Sequence, residues 1–131
     1  MIFVLADHNI EGYAIRLWDM FVSEGWQELC PMKLFLFADV GLSINSNDRE
    51  VWRFAQNHSM ILLTDNRNMK DEDSLAKVLR QENTITSLPV LTIGDMLRLR
   101  EKEYLRRCVL RIAEIISDLD NYLGTGRLFI P

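Results

Sequence analysis

The sequence predicts an α/β fold: a three-layer sandwich with a mainly parallel central sheet of four to five strands. Two observations point there. Short apolar runs rich in β-branched and aromatic residues alternate with longer segments of helical periodicity. The runs are continuously apolar rather than alternating, as expected of strands buried on both faces. A third observation concerns function. Three of the runs end in, or lead to, acidic and amide side chains, and in an open parallel sheet the strand carboxyl ends share one edge where ligands bind.

Ile2 to Ala6 is the first such run and meets Asp7-His8-Asn9. Gly12 to Glu24 carries Ala14, Leu17, Trp18, Phe21 and Val22 at helical spacing, and Gly25 supplies the stop. Lys33 to Phe37 is the second strand candidate and leads to Asp39. Asn47 with Glu50 three residues later has the form of a capping box. Val51, Trp52, Phe54 and Ala55 continue that helix to about His58. Met60 to Leu63 is a third strand and runs into Thr64-Asp65-Asn66-Arg67-Asn68. Asp71-Glu72-Asp73-Ser74 places negative charge at the start of a helix carrying Leu75, Val78 and Leu79.

Pro89 precedes a fourth strand, Val90 to Ile93. Gly94-Asp95 then opens a region without Gly or Pro until Gly124, in which Leu105, Val109, Ile112, Ile116, Leu119 and Leu123 recur every three or four residues. Cys108 and Ile115 widen this stripe, and a break near Arg100 to Glu103 splits the region into a short and a long helix. Arg127 to Ile130, after Gly124-Thr125-Gly126, is the candidate last strand. No internal repeat or linker divides the chain, so residues 1–131 read as a single domain.

Composition narrows the function. With 48% hydrophobic and 26% charged residues the chain can bury a core. A net charge of −4 argues against broad electrostatic capture of nucleic acid, though not against a local basic patch. Cys30 and Cys108 form no metal-binding pair and read as free buried thiols in a reducing, cytoplasmic setting. No apolar stretch approaches the roughly 20 residues of a membrane span.

Each candidate site residue has a local explanation beside a functional one. Asp7 either caps the following segment or points into the strand-end crevice. Glu50 can close the capping box and Asp48 can complement the helix dipole. Asp39 reads as a loop residue unless its strand end faces the site, and Asp71 and Asp73 read as helix caps. Thr64 to Asn68 is either an Asx-rich turn or a site. His8 lies beside Asp7 without partner spacing. Arg98, Arg100, Lys102, Arg106, Arg107 and Arg111 are either a solvated helix face or a phosphate-tracking surface. The stripe from Leu105 to Leu123 either packs on the sheet or supports a homodimer.

In order and motif these segments resemble the PIN-like superfamily, nearest the small proteins akin to the Mut7-C domain. The counterparts are Asp7-His8-Asn9, Gly41-Leu42, Asn47-Asp48-Arg49-Glu50-Val51 and Thr64-Asp65-Asn66-Arg67-Asn68. They cover roughly residues 1 to 90. The resemblance implies a ribonuclease holding Mg²⁺ or Mn²⁺ on clustered carboxylates. Its toxin-like relatives act in toxin–antitoxin pairs. Asp7, Asp48 and Asp65 would be the catalytic acids and Asp7, Asp48 and Asn66 the metal ligands, while Asn9, Arg67 and Asn68 would contact substrate. Asn66 and Asn68 stand where the family has Asp, and Asp65 is displaced by one residue. Neutral amides ligate without adding negative charge, so the site is weakened and two-metal chemistry suffers most. The alternative expectation is a non-catalytic PIN-like domain binding RNA or a protein partner. A phospho-acceptor receiver domain ranks below both, because it needs a Lys late in the chain and Lys102 sits inside a helix.

Overall fold

The computed structural model describes residues 1–67 and 71–131. Five strands, β1 (Ile2–Ala6), β2 (Met32–Phe35), β3 (Met60–Thr64), β4 (Val90–Ile93) and β5 (Arg127–Ile130), form one sheet in the order β2-β1-β3-β4-β5. Every pairing is parallel, with Val4 opposite Leu34 and Ile61, Thr64 opposite Thr92, and Thr92 opposite Phe129. The α/β class and parallel sheet are therefore as expected.

Helices cover both faces. Alternation along β1 and β3 sends Val4, Ala6, Ile61 and Leu63 to one side, where they pack on α1 (Glu11–Ser23) and α6 (Lys102–Ser117). Leu5, Met60 and Leu62 face the other side, with Val51, Trp52 and Ala55 of α4 (Asp48–Asn57) and Leu75 and Val78 of α5 (Leu75–Glu82). The stripe on α6 is consumed by the first of these layers: Cys108, Val109, Ile112 and Ile115 are all but inaccessible. Burying each such aliphatic contributes about 1.5–3 kcal/mol. The face on which a homodimer was envisaged thus belongs to the core.

Five details differ from the sequence reading. β2 ends at Phe35, and Phe37 begins the short α3 (Phe37–Val40), because the Asp39 carboxylate folds back to accept from the Leu36 amide at 2.8 Å. A second short helix, α2 (Trp26–Leu29), follows Gly25. The long helix stops at Ser117, and Leu119–Tyr122 is a separate 3-10 turn whose Leu119 and Tyr122 still pack on the core. That continued packing extends the apolar period past the helix end. The cap of α5 is Ser74, accepting from the Lys77 amide at 3.4 Å, rather than the acids before it. The expected short helix before α6 is a 3-10 turn, Leu97–Arg100.

Candidate active site

The strand order places a topological switch between β1 and β3, because the chain leaves β1 for β2 on one side and returns to β3 on the other. The crevice beyond the carboxyl ends of these two strands is where ligands of open parallel sheets bind. Asp7 is the first residue past β1, and its amide extends the ladder by donating to Leu63 O at 2.9 Å. Thr64 ends β3, fully buried.

A chain of hydrogen bonds runs across the crevice from there. Thr64 Oγ1 donates to Asp7 Oδ2 at 2.7 Å and accepts from the Asn66 amide at 3.0 Å. Asn66 Nδ2 donates to Asp48 Oδ2 at 2.7 Å. The same Asp48 oxygen accepts from the Leu75 amide, the first residue of α5, at 2.9 Å. Asp48 reaches its position because Asn47 and Glu50 close the expected capping box. Glu50 N donates to Asn47 Oδ1 at 2.9 Å and Asn47 N to Glu50 Oε1 at 3.4 Å. Glu50 is thereby a structural cap, whereas Asp48 does more than favour the dipole: it joins α4 to α5.

Asp65 lies between Thr64 and Asn66 and bonds to neither Asp7 nor Asp48. The side chains of Thr64 and Asn66 take part in this path, and that of Asp65 does not bridge to either acid. Its charge is still felt. Burial raises the Asp7 carboxyl above its ordinary value of 3.8, and repulsion from Asp48 and Asp65 raises it further, while the Thr64 hydroxyl and the His8 amide oppose the rise.

A cleft of about 440 Å³ opens beside Asp48, lined also by Asn66, Asp71, Glu72, Asp73 and Ser74. Asp73 pairs with Arg49 Nε at 2.8 Å. Arg49 also meets Glu82, as does Arg53, so this network ties α4 to α5. Among the described residues, no three His, Cys, Asp or Glu side chains are grouped so as to hold an ion together.

Other candidates lie elsewhere. Asn9 is exposed and lines a second cleft with Gly12, Tyr13 and Arg16. His8 stands 3.2 Å from Glu11 and packs against the Phe37 ring. Asp39 caps α3 locally. Arg67 is exposed, and Asn68 lies outside the described residues. On the basic segment Arg98, Arg106 and Arg111 pair with Glu101, Glu24 and Glu114.

One residue was missed. Arg127, opening β5, donates from Nη1 to Asn66 O and to Thr92 Oγ1, each at 2.7 Å. Burial, with repulsion from Arg67, lowers its pKa, and Asp48 opposes this. The only sequence signal was a cation at the start of a strand otherwise apolar, Arg127-Leu128-Phe129-Ile130. Comparison of the chain with models of known protein families, with curated proteins and with solved structures gives no match.

Proposed function

We propose that the domain is a metal-dependent ribonuclease of PIN-like type with a weakened acidic site. The observation that carries this reading is the hydrogen-bonded path from Asp7 through Thr64 and Asn66 to Asp48 at the β1/β3 switch. The donor set suits a hard cation: two carboxylates and an amide, with Asp7 raised by burial and by unneutralised neighbours. Asp7, Asp48 and Asn66 would hold Mg²⁺ or Mn²⁺. When bound, such an ion polarises a phosphodiester and acidifies water. The protein's own contribution is to keep the ligands charged and aimed. Thr64 favours the ionised form of Asp7, Asn66 and the α5 amide fix Asp48, and Asp65 adds negative charge without a contact. With two carboxylates linked rather than three grouped, the site suits one ion better than two.

A second reading, a non-catalytic PIN-like domain binding RNA or a protein, draws on the same geometry. Asp48 Oδ2 is already satisfied by two internal donors. A receiver domain fits less well, because the late lysine it needs would have to be Lys102, which opens α6.

Titration with Mn²⁺, followed by thermal unfolding and by cleavage of unstructured RNA, separates the first two. Specific binding to the native state adds about 2.7 kcal/mol at a hundredfold excess over Kd. The nuclease reading requires a Tm rise and cleavage in the natural protein and neither in Asp7→Asn. No Tm shift at millimolar Mn²⁺, with no cleavage, leaves the binding domain.

A further inference from the structure

We propose that the free edge of β5 pairs with a second copy of the chain, strand against antiparallel strand, centred on Leu128. The proposal goes beyond the nuclease reading and does not rest on it.

The ladder shows which groups of β5 are unspent. Val90 N donates to Gly126 O at 2.7 Å and Gly94 N to Ile130 O at 3.1 Å. Peptide groups point alternately to either side of a strand, so Gly126, Leu128 and Ile130 face β4. Arg127 and Phe129 then turn their N–H and C=O groups to the outer edge. Among the described residues, neither of these backbones bonds to another backbone outside the sheet. Such an edge is a template for a further strand. The opposite edge of the sheet is treated differently. There the Gln27 side chain occupies Met32, donating to its carbonyl at 2.8 Å and accepting from its amide at 3.3 Å.

The side chains agree with the backbone. Leu128 and Ile130 join the layer formed with α1 and α6, so alternation sends Arg127 and Phe129 to the other face. The helices of that face leave Phe129 47% exposed. A half-exposed aromatic on an open edge strand gains by burial against a partner.

Register identifies the partner. In an antiparallel pair centred on Leu128, Arg127 lies opposite Phe129 of the second copy, and Phe129 opposite its Arg127. Each pair exchanges both N–H···O bonds, and Leu128 meets its own counterpart across the two-fold axis. Neighbouring registers lack donors. Pairing centred on Gly126 needs the Thr125 amide, which already donates to Tyr122 O at 3.3 Å. Pairing centred on Ile130 needs an N–H from Pro131, which has none. Pairing in which Arg127 faces itself sets like charges opposite each other. The Leu128 register alone matches every donor to an acceptor and every cation to an aromatic neighbour. β5 has four residues, so the association belongs to the small, transient class of interfaces.

The test is sedimentation velocity of the natural protein from micromolar to millimolar concentration, with variants of β5. A reversible dimer is expected in the upper part of that range. Phe129→Lys puts a charge on the edge opposite the second copy's Arg127 and should weaken dimerisation at least tenfold, with an unchanged Tm for the monomer, since the site is exposed. Leu128→Cys should give a covalent dimer under mild oxidation by oxidised glutathione. Phe129→Cys should give little, because its thiol faces Arg127 rather than itself. The natural protein, whose Cys30 and Cys108 are buried, should give none. Should Leu128→Cys fail to fold, Phe129→Lys still decides the matter. A natural protein that stays monomeric at millimolar concentration overturns the proposal and leaves the edge to a strand of a different protein. A dimer unaffected by Phe129→Lys, or one cross-linked at position 129 and not at 128, overturns it as well.

Discussion

Thr64 Oγ1 and Asp7 Oδ2 meet at 2.7 Å although 57 positions separate them in the chain. The contact exists because β1 and β3 are parallel neighbours whose carboxyl ends coincide, with Ala6 opposite Leu63. It favours the charged form of an acid that burial and two neighbouring carboxylates push toward neutrality.

Replacing Thr64 by valine keeps the shape and deletes the hydroxyl. Asp7 then loses its donor and the Asn66 amide loses its acceptor at a buried position. Leaving such groups unmet costs about 1–3 kcal/mol. Urea unfolding at neutral pH should show that loss, and the Asp7 carboxyl should titrate higher still by NMR. A midpoint equal to that of the natural protein would mean the hydroxyl does not support Asp7.

Asp7→Asn should raise stability at neutral pH in the absence of metal. The folded carboxyl titrates above its ordinary 3.8, chiefly through burial. Such a group favours folding while protonated, below 3.8, and that contribution is lost as pH rises through its folded-state value. The amide never ionises and keeps an acceptor for Thr64. Thermal unfolding against pH in EDTA should therefore show a gain that is full at pH 7 and vanishes below about pH 3.8. Saturating Mn²⁺ should reverse the order of the two proteins if Asp7 is a ligand. A variant less stable than the natural protein at pH 7 without metal would contradict the burial argument.

The strand runs were legible because parallel strands buried on both faces are continuously apolar, and Asn47 with Glu50 spelled a cap that formed. Asp7 and Asp48 could be placed because their strand and helix ends are marked locally. The bonds that join them were not legible. Asn66 reaches Asp48, and Arg127 reaches Asn66, only because β3, α4 and β5 pack as they do, and no local pattern encodes that register. Boundaries failed where side chains override periodicity, as when Asp39 turns an apolar run into α3. Apolar residues also outlast a helix, as Leu119 does beyond Ser117.

Gly124 is a point where backbone rather than side chain decides. Its φ is +80°, and a Cβ there would lie 2.8 Å from Ile85 O. The turn it makes is pinned by its amide to Ser87 O and by Asn83 Nδ2 to its carbonyl, both at 2.9 Å. Gly124→Ala combines a left-handed conformation, which costs about 1–3 kcal/mol for a non-glycine residue, with a backbone clash. Chemical denaturation should report a loss at or above that range. Hydrogen exchange should show it concentrated in β5, where Arg127 begins. A loss under about 0.5 kcal/mol, within the ordinary surface range, would mean the turn relaxes freely.

Asp48 should show two separable roles. Its Oδ2 accepts from the first amide of α5 and from Asn66, which is a capping arrangement supplied from another helix. Asp48→Ala removes that acceptor and should cost about 0.5–2 kcal/mol, the range for losing a helix cap. Asp48→Asn can still accept through its amide oxygen, so its unfolding midpoint should lie much closer to that of the natural protein. The charge is a different matter. Both variants remove one of the two carboxylates linked by the Thr64–Asn66 path, so both should abolish stabilisation by Mn²⁺ alike, whatever their difference in metal-free stability. Metal stabilisation that survives in Asp48→Asn would confine Asp48 to joining α4 and α5 and place any ion on Asp7 without it.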